Sequence, residues 1–556
     1  MHAPFPFLIA VLVALAGCAG LEGTGGGEPP ASRTADEWRA DGDAALERNE
    51  LPEAARAFRM AAEVSDDEAV AEQATRMAFD HDQMGEAALA AERWLTLNPT
   101  SEMAHRYGGV ADLELHRLDA AEGHFEQLLA TAYLSPAAGF LALLPLTSGH
   151  GTAADIAELF RRLVARHDRV AEGYYALGSA ALRAENFALA LASARRATEL
   201  APYWIPARML LARSLIASGD EQAGLDAARD LVMAPDADIA THLEYALLLA
   251  GTGRAEEARA MLLPYATGDS VVPGAVRTLG VMDLDQGDLD AASKRFEDLL
   301  STGVQSYDAL YYLGVIADRR GDPDQALRYF TRVTGGEFEL PAQLRAARIR
   351  AKQGGLDAGL DYLDQFARSH PQRGPELVAA RAGLASSLGD TLRATRILDA
   401  GIAQYPDSLD LRMARVFAYE RAGREDAAIR DLRQLLAERP GDATVQNALG
   451  YALADRDKNL DEAATLISAS LAQMPDSAAV LDSMGWVLFR QGKAQEALPY
   501  LERAAKLGDD PEIALHLGDV QAALGDAAAA KATWQKGLEA NPDDARLKER
   551  LERARP

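Results

Sequence analysis

The chain has 556 residues, which at about 150 residues per domain predicts either three or four domains or one repeat array. It has 57 Lys and Arg against 84 Asp and Glu, so the formal net charge is −27. Nucleic acid and anionic lipid surfaces need a basic patch, and this acidity excludes both as the main partner. The apolar fraction of 48% indicates a globular chain, and few aromatics (6%) among many alanines favour close-packed helices.

The N-terminal segment carries the single cysteine, so no disulfide can form within the chain. The apolar run from Phe5 to Ala16 is too short for a membrane span but suits a signal peptide. It ends in Leu15-Ala16-Gly17-Cys18, which resembles the signal of bacterial lipoproteins. The resemblance implies removal of residues 1–17 and attachment of lipid, such as palmitate, to Cys18. An ordinary secretory signal is the alternative, because no Lys or Arg precedes the apolar run.

Residues 18–34 are predicted to be the acylated cysteine and a flexible tether, because Gly and Pro dominate them. In lipoproteins an Asp after the cysteine favours the inner membrane, and Ala19 stands there instead. The resemblance therefore implies the outer membrane of a Gram-negative bacterium. We expect the chain to lie at its periplasmic face, held by lipid alone.

From residue 35 onward the sequence repeats with a period of 34. Small residues recur at this spacing, namely Gly178, Ala212, Ala246, Gly280 and Gly314. Each is followed after twelve positions by another small residue, namely Ala190, Gly224, Ala258, Ala292 and Ala326. Four residues further a large side chain often stands, as at Phe58, Phe125, Phe296, Phe330, Leu501 and Trp534. A proline often closes the unit, as at Pro99, Pro202, Pro406, Pro475 and Pro542.

This pattern resembles the tetratricopeptide repeat (TPR) family, in which each unit is a pair of antiparallel helices. Facing small residues let the two helices approach, a large side chain fills the gap beside them, and proline ends the second helix. The fold class we predict is all-α, a right-handed superhelical TPR solenoid of about fifteen helix-turn-helix units, some of them degenerate. Such an array forms a concave groove that binds peptides or helices.

The array is predicted to fall into two parts. Residues 135–167 keep two helices but lose the signature, so we expect an irregular joint there between a sub-array at 35–134 and the main array at 168–545. The charged tail at 546–556 has Leu547 and Leu551 one turn apart, as a capping helix should.

No motif for an enzyme or a cofactor site is present, so we expect a non-enzymatic protein without a cofactor. His105, His116 and His124 stand near one another, but they lack ligand spacing. We interpret them as solvated helix surface rather than a metal site, and Asp80-His81-Asp82 likewise.

The groove is expected to bind protein partners through its C-terminal units. Aromatic and arginine side chains are frequent interface anchors. The candidates on the expected inner face are Phe417, Asn447, Tyr451, Asp482, Trp486, Phe489 and Arg490. Packing between adjacent units is an equally open role for Trp486 and Phe489. A second, weaker patch comprises Arg277, Asp308, Tyr311 and Arg319.

The stretch at about 446–535, which includes NALGYALADRDKNLDEAATL, is similar to a group of large proteobacterial TPR lipoproteins that includes the LbcA-like adaptor, and the smaller TPR lipoprotein NlpI has an analogous role. The resemblance implies an adaptor that holds a periplasmic carboxy-terminal processing protease at the outer membrane and presents cell-wall hydrolases to it. The alternative is a structural TPR scaffold in an outer-membrane secretion, pilus or peptidoglycan-synthesis complex. An enzyme is the remote third possibility.

Overall fold

A computed structural model describes residues 33–235, 237–267 and 271–554. These residues form 31 α-helices and no strand, which confirms the predicted all-α solenoid. The first ten helices are α1 (Ala35–Glu47), α2 (Leu51–Glu63), α3 (Glu68–Asp80), α4 (Met84–Leu97), α5 (Glu102–Glu114), α6 (Leu118–Thr131), α7 (Pro136–Thr147), α8 (Ala153–Arg166), α9 (Ala171–Arg183) and α10 (Phe187–Leu200). The next ten are α11 (Ile205–Ala217), α12 (Glu221–Val232), α13 (Ile239–Gly251), α14 (Ala255–Ala266), α15 (Pro273–Asp285), α16 (Leu289–Ser301), α17 (Ser306–Arg319), α18 (Pro323–Phe330), α19 (Glu339–Gly354) and α20 (Leu356–Ser369). A short 3-10 helix (Pro371–Arg373) precedes the last eleven, which are α21 (Gly374–Ser387), α22 (Thr391–Gln404), α23 (Leu409–Arg421), α24 (Glu425–Glu438), α25 (Ala443–Ala454), α26 (Leu460–Gln473), α27 (Ala478–Arg490), α28 (Ala494–Leu507), α29 (Pro511–Ala523), α30 (Ala527–Ala540) and α31 (Ala545–Arg553).

The helices succeed one another as fifteen pairs, α1/α2 through α29/α30, with α31 packed on the last pair. The pair α7/α8 is irregular, because α7 packs mainly on α9 while α8 packs on α6 and α9. Pro145 lies inside α7, and Gly149 and Gly151 take left-handed conformations in the turn that follows. The division into two sub-arrays around this joint stays a prediction, and the predicted signal peptide and Cys18 lie outside the described residues.

Small residues bring the two helices of a unit together, as the repeat pattern predicts. A methyl group on Gly314 of α17 would stand 2.6 Å from the Phe330 ring of α18, and one on Gly280 would stand 2.8 Å from Phe296. Both phenylalanines are fully buried. These two units therefore build their cores from a glycine against a large side chain sixteen positions later.

The turn inside each unit contains a residue with positive φ. Glycine fills this place at Gly219, Gly253, Gly287, Gly321, Gly389 and Gly423. Non-glycine residues fill it in other units, at Asn49, Asp82, His116, Glu185 and Asp457. Left-handed backbone is unfavourable for residues that have a Cβ atom, and such positions concentrate at functional or packing sites.

Four of those non-glycine turns lie at or beside contacts with a distant part of the array. We call this contact region the closure interface: residues 49, 83–85, 114–116 and 185–187 on one side, and residues 404–407, 439–442 and 476 on the other. Its hydrogen bonds include Gln83 Nε2 to the Gln404 carbonyl at 2.7 Å and the Gly85 amide to Asp407 Oδ2 at 2.9 Å. The early units therefore pack against the late units as well as against their own neighbours.

Further bonds of the closure interface follow along the chain. Arg439 Nη2 donates to the Glu114 carbonyl at 2.5 Å, and the Phe187 amide donates to Asp476 Oδ2 at 2.9 Å. Leu51 adds an apolar contact, since it belongs to a core cluster with residues 378–418. Within the described ranges, none of the helices combines the length and apolar composition that a membrane span needs.

Candidate protein-binding site

Three of the seven predicted groove residues, on α25 and α27, share one cluster with two residues of α29. The Trp486 ring stacks on His516 of α29, with ring centroids 4.0 Å apart and planes 14° apart. His516 Nδ1 in turn lies 2.9 Å from Asp482 Oδ2. The Tyr451 hydroxyl donates to Glu512 Oε1 at 2.8 Å. We call Tyr451, Asp482, Trp486, Glu512 and His516 the His516 cluster.

Phe489 and Arg490 border this cluster. The ring centroid of Phe489 lies 5.5 Å from that of Trp486, and the Arg490 guanidinium lies 5.2 Å from the centroid of the same indole. Arg490 Nε also donates to Asp457 Oδ1 at 2.8 Å. Its cation is therefore shared between an aromatic face and an acidic turn of the preceding unit.

The centre of the His516 cluster is buried between adjacent units, while its Glu512 side chain is 39% exposed. Trp486 is 9% exposed, and Asp482 and His516 are also buried. Burial raises the pKa of the Asp482 carboxyl, and burial together with the Glu512 charge raises the pKa of the Tyr451 hydroxyl. These contacts favour the inter-unit packing role for Trp486, and its role as a binding anchor stays a prediction.

The remaining two groove candidates lie on the preceding helices. Asn447 stands on α25, and its buried Oδ1 has no hydrogen-bond partner within the described chain. Phe417 stands on α23 and is 54% exposed, which makes it the most accessible aromatic of the seven. Residues of the second predicted patch make contacts within the chain. Arg277 Nη1 donates to Asp308 Oδ2 at 2.8 Å, and the Tyr311 ring stacks on Phe338.

Phe417 lines a cavity of about 830 Å³ beside the closure interface. We call this space the central cavity. One wall comes from α21, α23 and α25, and the other comes from turns of early units, including the irregular turn between α7 and α8. Its lining includes Asp82, Glu114, His150, Arg373, Asp410, Met413, Phe417 and Arg439.

Acids outnumber arginines in the central cavity, which is lined by Asp82, Glu114, Glu376, Asp407 and Asp410 against Arg373 and Arg439. Burial raises the pKa of Asp82 to about 6, and the nearby Glu114 charge adds to the rise. Burial and Glu114 also raise the pKa of Asp410. His150 Nδ1 lies 2.9 Å from Glu114 Oε1, so these two side chains pair at the cavity wall. The cavity thus combines an exposed aromatic ring with partly buried acids.

The sequence interpretation missed several of these residues. His516 follows Asp482 by 34 positions, so the repeat period alone could have paired them. No spacing in the sequence predicts the lining of the central cavity. Asp82 and Asp410 come together only because early units pack against late units. The interpretation of the histidines as solvated surface was wrong: the His116 and His124 side chains are 12% and 13% exposed. Asp82 was also interpreted as solvated surface. That interpretation was wrong, because this side chain is partly buried in the wall of the central cavity.

Comparison with known proteins identifies the repeats. Family models described as tetratricopeptide repeat match residues 154–203, 278–337, 414–478 and 488–553. The TPR repeat-containing protein PA4667 of Pseudomonas aeruginosa is 36% identical over 211 residues, which cover 38% of this chain and 36% of that protein. The mouse aspartyl/asparaginyl beta-hydroxylase is 24% identical over 226 residues, which cover 36% of this chain and 30% of the enzyme. The chain thus spans about a third of the length of the curated relatives it matches.

Solved structures include helical-repeat proteins of low identity. A tetratricopeptide repeat protein from Parabacteroides merdae is 17% identical, with a TM-score of 0.35 over 45% of this chain and 99% of its own. Yeast Tom70 is 13% identical, with a TM-score of 0.36 over 94% of both chains. The four matched segments and the 34-residue succession of helix pairs show that this chain contains tetratricopeptide repeats.

Proposed function

We propose that this protein is a lipid-anchored adaptor at the periplasmic face of the outer membrane, which presents cell-wall hydrolases to a carboxy-terminal processing protease. Tetratricopeptide repeats are protein-interaction scaffolds, and arrays of this kind are typically non-catalytic. The finer role rests on the Leu15-Ala16-Gly17-Cys18 signal and on the resemblance at about 446–535.

The observation that carries the binding role is Phe417 in the central cavity. An aromatic ring that is 54% exposed inside a concave space offers an anchor to a partner side chain. The same cavity is lined by five acidic side chains against Arg373 and Arg439, and this acidic excess favours a cationic group beside that anchor. An extended peptide carrying an apolar residue next to Lys or Arg fits both features.

Capture from detergent-solubilised envelope tests the partner. The full chain should retain a processing protease together with cell-wall hydrolases, and Phe417→Ala should retain less of at least one of them. Leu392→Ala is the matched control, because Leu392 is 66% exposed on α22 but does not line the central cavity. Recovery of secretion, pilus or peptidoglycan-synthesis subunits without the protease would contradict the adaptor and favour the structural scaffold.

Anchoring is tested separately. Cys18→Ser should abolish incorporation of labelled palmitate and release the protein from the membrane fraction. Unchanged labelling of that variant would contradict the lipid anchor, and it would leave the binding role of the central cavity to be judged by the capture experiment.

A further inference from the structure

Three potential metal ligands lie close together at the closure interface, although the sequence did not predict them as a group. They are His116 in the turn between α5 and α6, Asp155 in the first turn of α8, and Asp442 at the N-terminus of α25. One ligand atom from each residue lies within 4.8 Å of the other two. Two of these residues belong to early units and the third to a late one.

The carboxylates of this group are buried and incompletely bonded. The Asp155 side chain is 3% exposed and that of Asp442 is 0% exposed. The Oδ2 atom of each has no hydrogen-bond partner in the part of the chain that the structure describes. Buried carboxylate oxygens without partners are costly, and coordination of a cation is one of the few ways to satisfy them.

Local contacts hold the three side chains in place. Asp442 Oδ1 accepts hydrogen bonds from the amides of Thr444 and Val445 at 2.9 and 3.1 Å, which leaves Oδ2 free. Thr152 caps α8 by accepting from the Asp155 amide at 3.1 Å. His116 has a left-handed φ of 59°, a conformation that is unfavourable for histidine unless its surroundings impose it.

The histidine pairs with one oxygen of one acid and leaves the Oδ2 atoms of both acids unpartnered. His116 Nδ1 lies 2.7 Å from Asp155 Oδ1, a close pair that leaves Asp155 Oδ2 without a partner in the described chain. Arg439 Nη1 stands 4.0 Å from Asp442 Oδ2, which is beyond hydrogen-bond distance. The Arg439 cation offsets part of the negative charge and leaves both Oδ2 atoms available.

We propose that His116, Asp155 and Asp442 bind a divalent transition-metal ion of the zinc type, which joins the early units of the array to the late ones. Imidazole nitrogen and carboxylate oxygen are both ligands that zinc accepts, and a water can fill the fourth position of an open site. Two ligands of a tetrahedral zinc ion lie about 3.4 Å apart, so small side-chain rotations complete the site. A cavity of about 740 Å³, lined by His116, Asp119, Glu438 and Gly441, gives solvent access.

Metal uptake by the full chain in detergent tests this site. After treatment with a chelator and buffer exchange, the wild-type chain should take up one Zn²⁺ per chain, and its melting temperature should rise with Zn²⁺ concentration. Asp442→Asn and Asp155→Asn should each weaken Zn²⁺ binding at least tenfold. Asparagine is also a good N-terminal cap, so Asp442→Asn keeps α25 capped.

The matched control is Glu126→Gln, which alters a histidine–carboxylate pair that lacks a third ligand. Glu126 Oε1 lies 3.0 Å from His167 Nε2, and the control should keep full Zn²⁺ uptake. Absence of stoichiometric uptake by the wild type would overturn the proposal, as would uptake of Mg²⁺ or Ca²⁺ in place of Zn²⁺. Uptake that survives both aspartate variants but is lost in His124→Gln would assign the metal to the His105–His124 pair and would also overturn it.

Discussion

At the scale of single residues, a glycine inside a helix is required only where another side chain occupies the space of its missing Cβ. Gly314 and Gly383 both lie inside the first helix of their units. A Cβ on Gly314 would stand 2.6 Å from the Phe330 ring, whereas one on Gly383 would meet no atom of the described chain within 4 Å. The same substitution should therefore have opposite effects at the two sites.

We expect Gly314→Ala to lower the free energy of unfolding by about 1–3 kcal/mol, because the Phe330 ring must move in a packed core. Gly383→Ala should raise it by up to about 1 kcal/mol through helix propensity. Thermal unfolding of both variants against wild type measures the difference. Equal melting temperatures for the two variants would contradict the packing argument.

Asp82 provides a pH-dependent prediction. Its pKa of about 6 in the folded chain exceeds its ordinary value of 3.8, so the folded state binds the proton more tightly than the unfolded state. Its contribution to stability is therefore complete below pH 3.8 and is lost as the pH rises through 6. Asparagine stays uncharged and tolerates the φ of 56° at this position. We expect Asp82→Asn to raise the melting temperature at pH 7.5 and to lose that gain near pH 4.

Asp457→Asn is the control for this prediction. Asp457 has a similar φ of 52°, but its hydrogen bonds with Arg490 lower the pKa of its carboxyl. The Asp457 carboxylate contributes to stability above its ordinary pKa. Asp457→Asn should therefore not gain stability at pH 7.5. A gain of the same size in both variants would indicate a backbone effect of asparagine instead of the titration of Asp82.

At the scale of helices, α27 and α23 present aromatic side chains with different surroundings. Trp486 of α27 stacks on His516 of the next unit, whereas Phe417 of α23 faces the central cavity. Truncation of a buried aromatic residue removes core contacts, and truncation of an exposed anchor removes contacts to a partner. The two helices therefore allow folding and binding to be tested separately.

We expect Trp486→Ala to lower the free energy of unfolding by about 3–5 kcal/mol and to melt the C-terminal units first. Adding Phe489→Ala should lower it further. Phe417→Ala should leave the melting temperature unchanged and weaken partner binding by about 2 kcal/mol. Thermal unfolding and partner affinity measured on the same samples distinguish these results. Lost binding with an unchanged melt in Trp486→Ala would instead make Trp486 a groove anchor.

At the scale of the whole molecule, the closure interface holds distant units together with few bonds. Asp407 accepts from the Gly85 amide, and Arg439 donates to the Glu114 carbonyl. Asp407→Ala combined with Arg439→Met should loosen the array, since a solenoid unit otherwise depends only on its neighbours. Small-angle scattering should show a larger radius of gyration. The control is Arg433→Met, which affects only the exposed pair with Glu462 and should leave the scattering unchanged. Equal scattering profiles for the wild type, the double variant and the control would contradict the role of the closure interface.

The sequence was sufficient to predict the repeat but not the closure. The spacing of Gly280, Phe296, Gly314 and Phe330 determines how helices pair within a unit, and these contacts are local. Contacts such as Gln83 with Gln404 depend on small rotations accumulated over many units, which no spacing in the sequence specifies. The same reason explains why Phe417 was predicted as a groove residue while the acids around it were not.

The closure interface also has a consequence for the order of folding. Contacts between adjacent units span a few tens of residues and can form as soon as two units have been synthesised. The bonds from Asn49, Gln83, Glu114 and Glu185 join residues separated by nearly 300 positions or more, so they carry a large loop-closure entropy and should form late. A nascent chain that ends before residue 404 would therefore contain folded helix pairs but would lack the wall of the central cavity that carries Phe417.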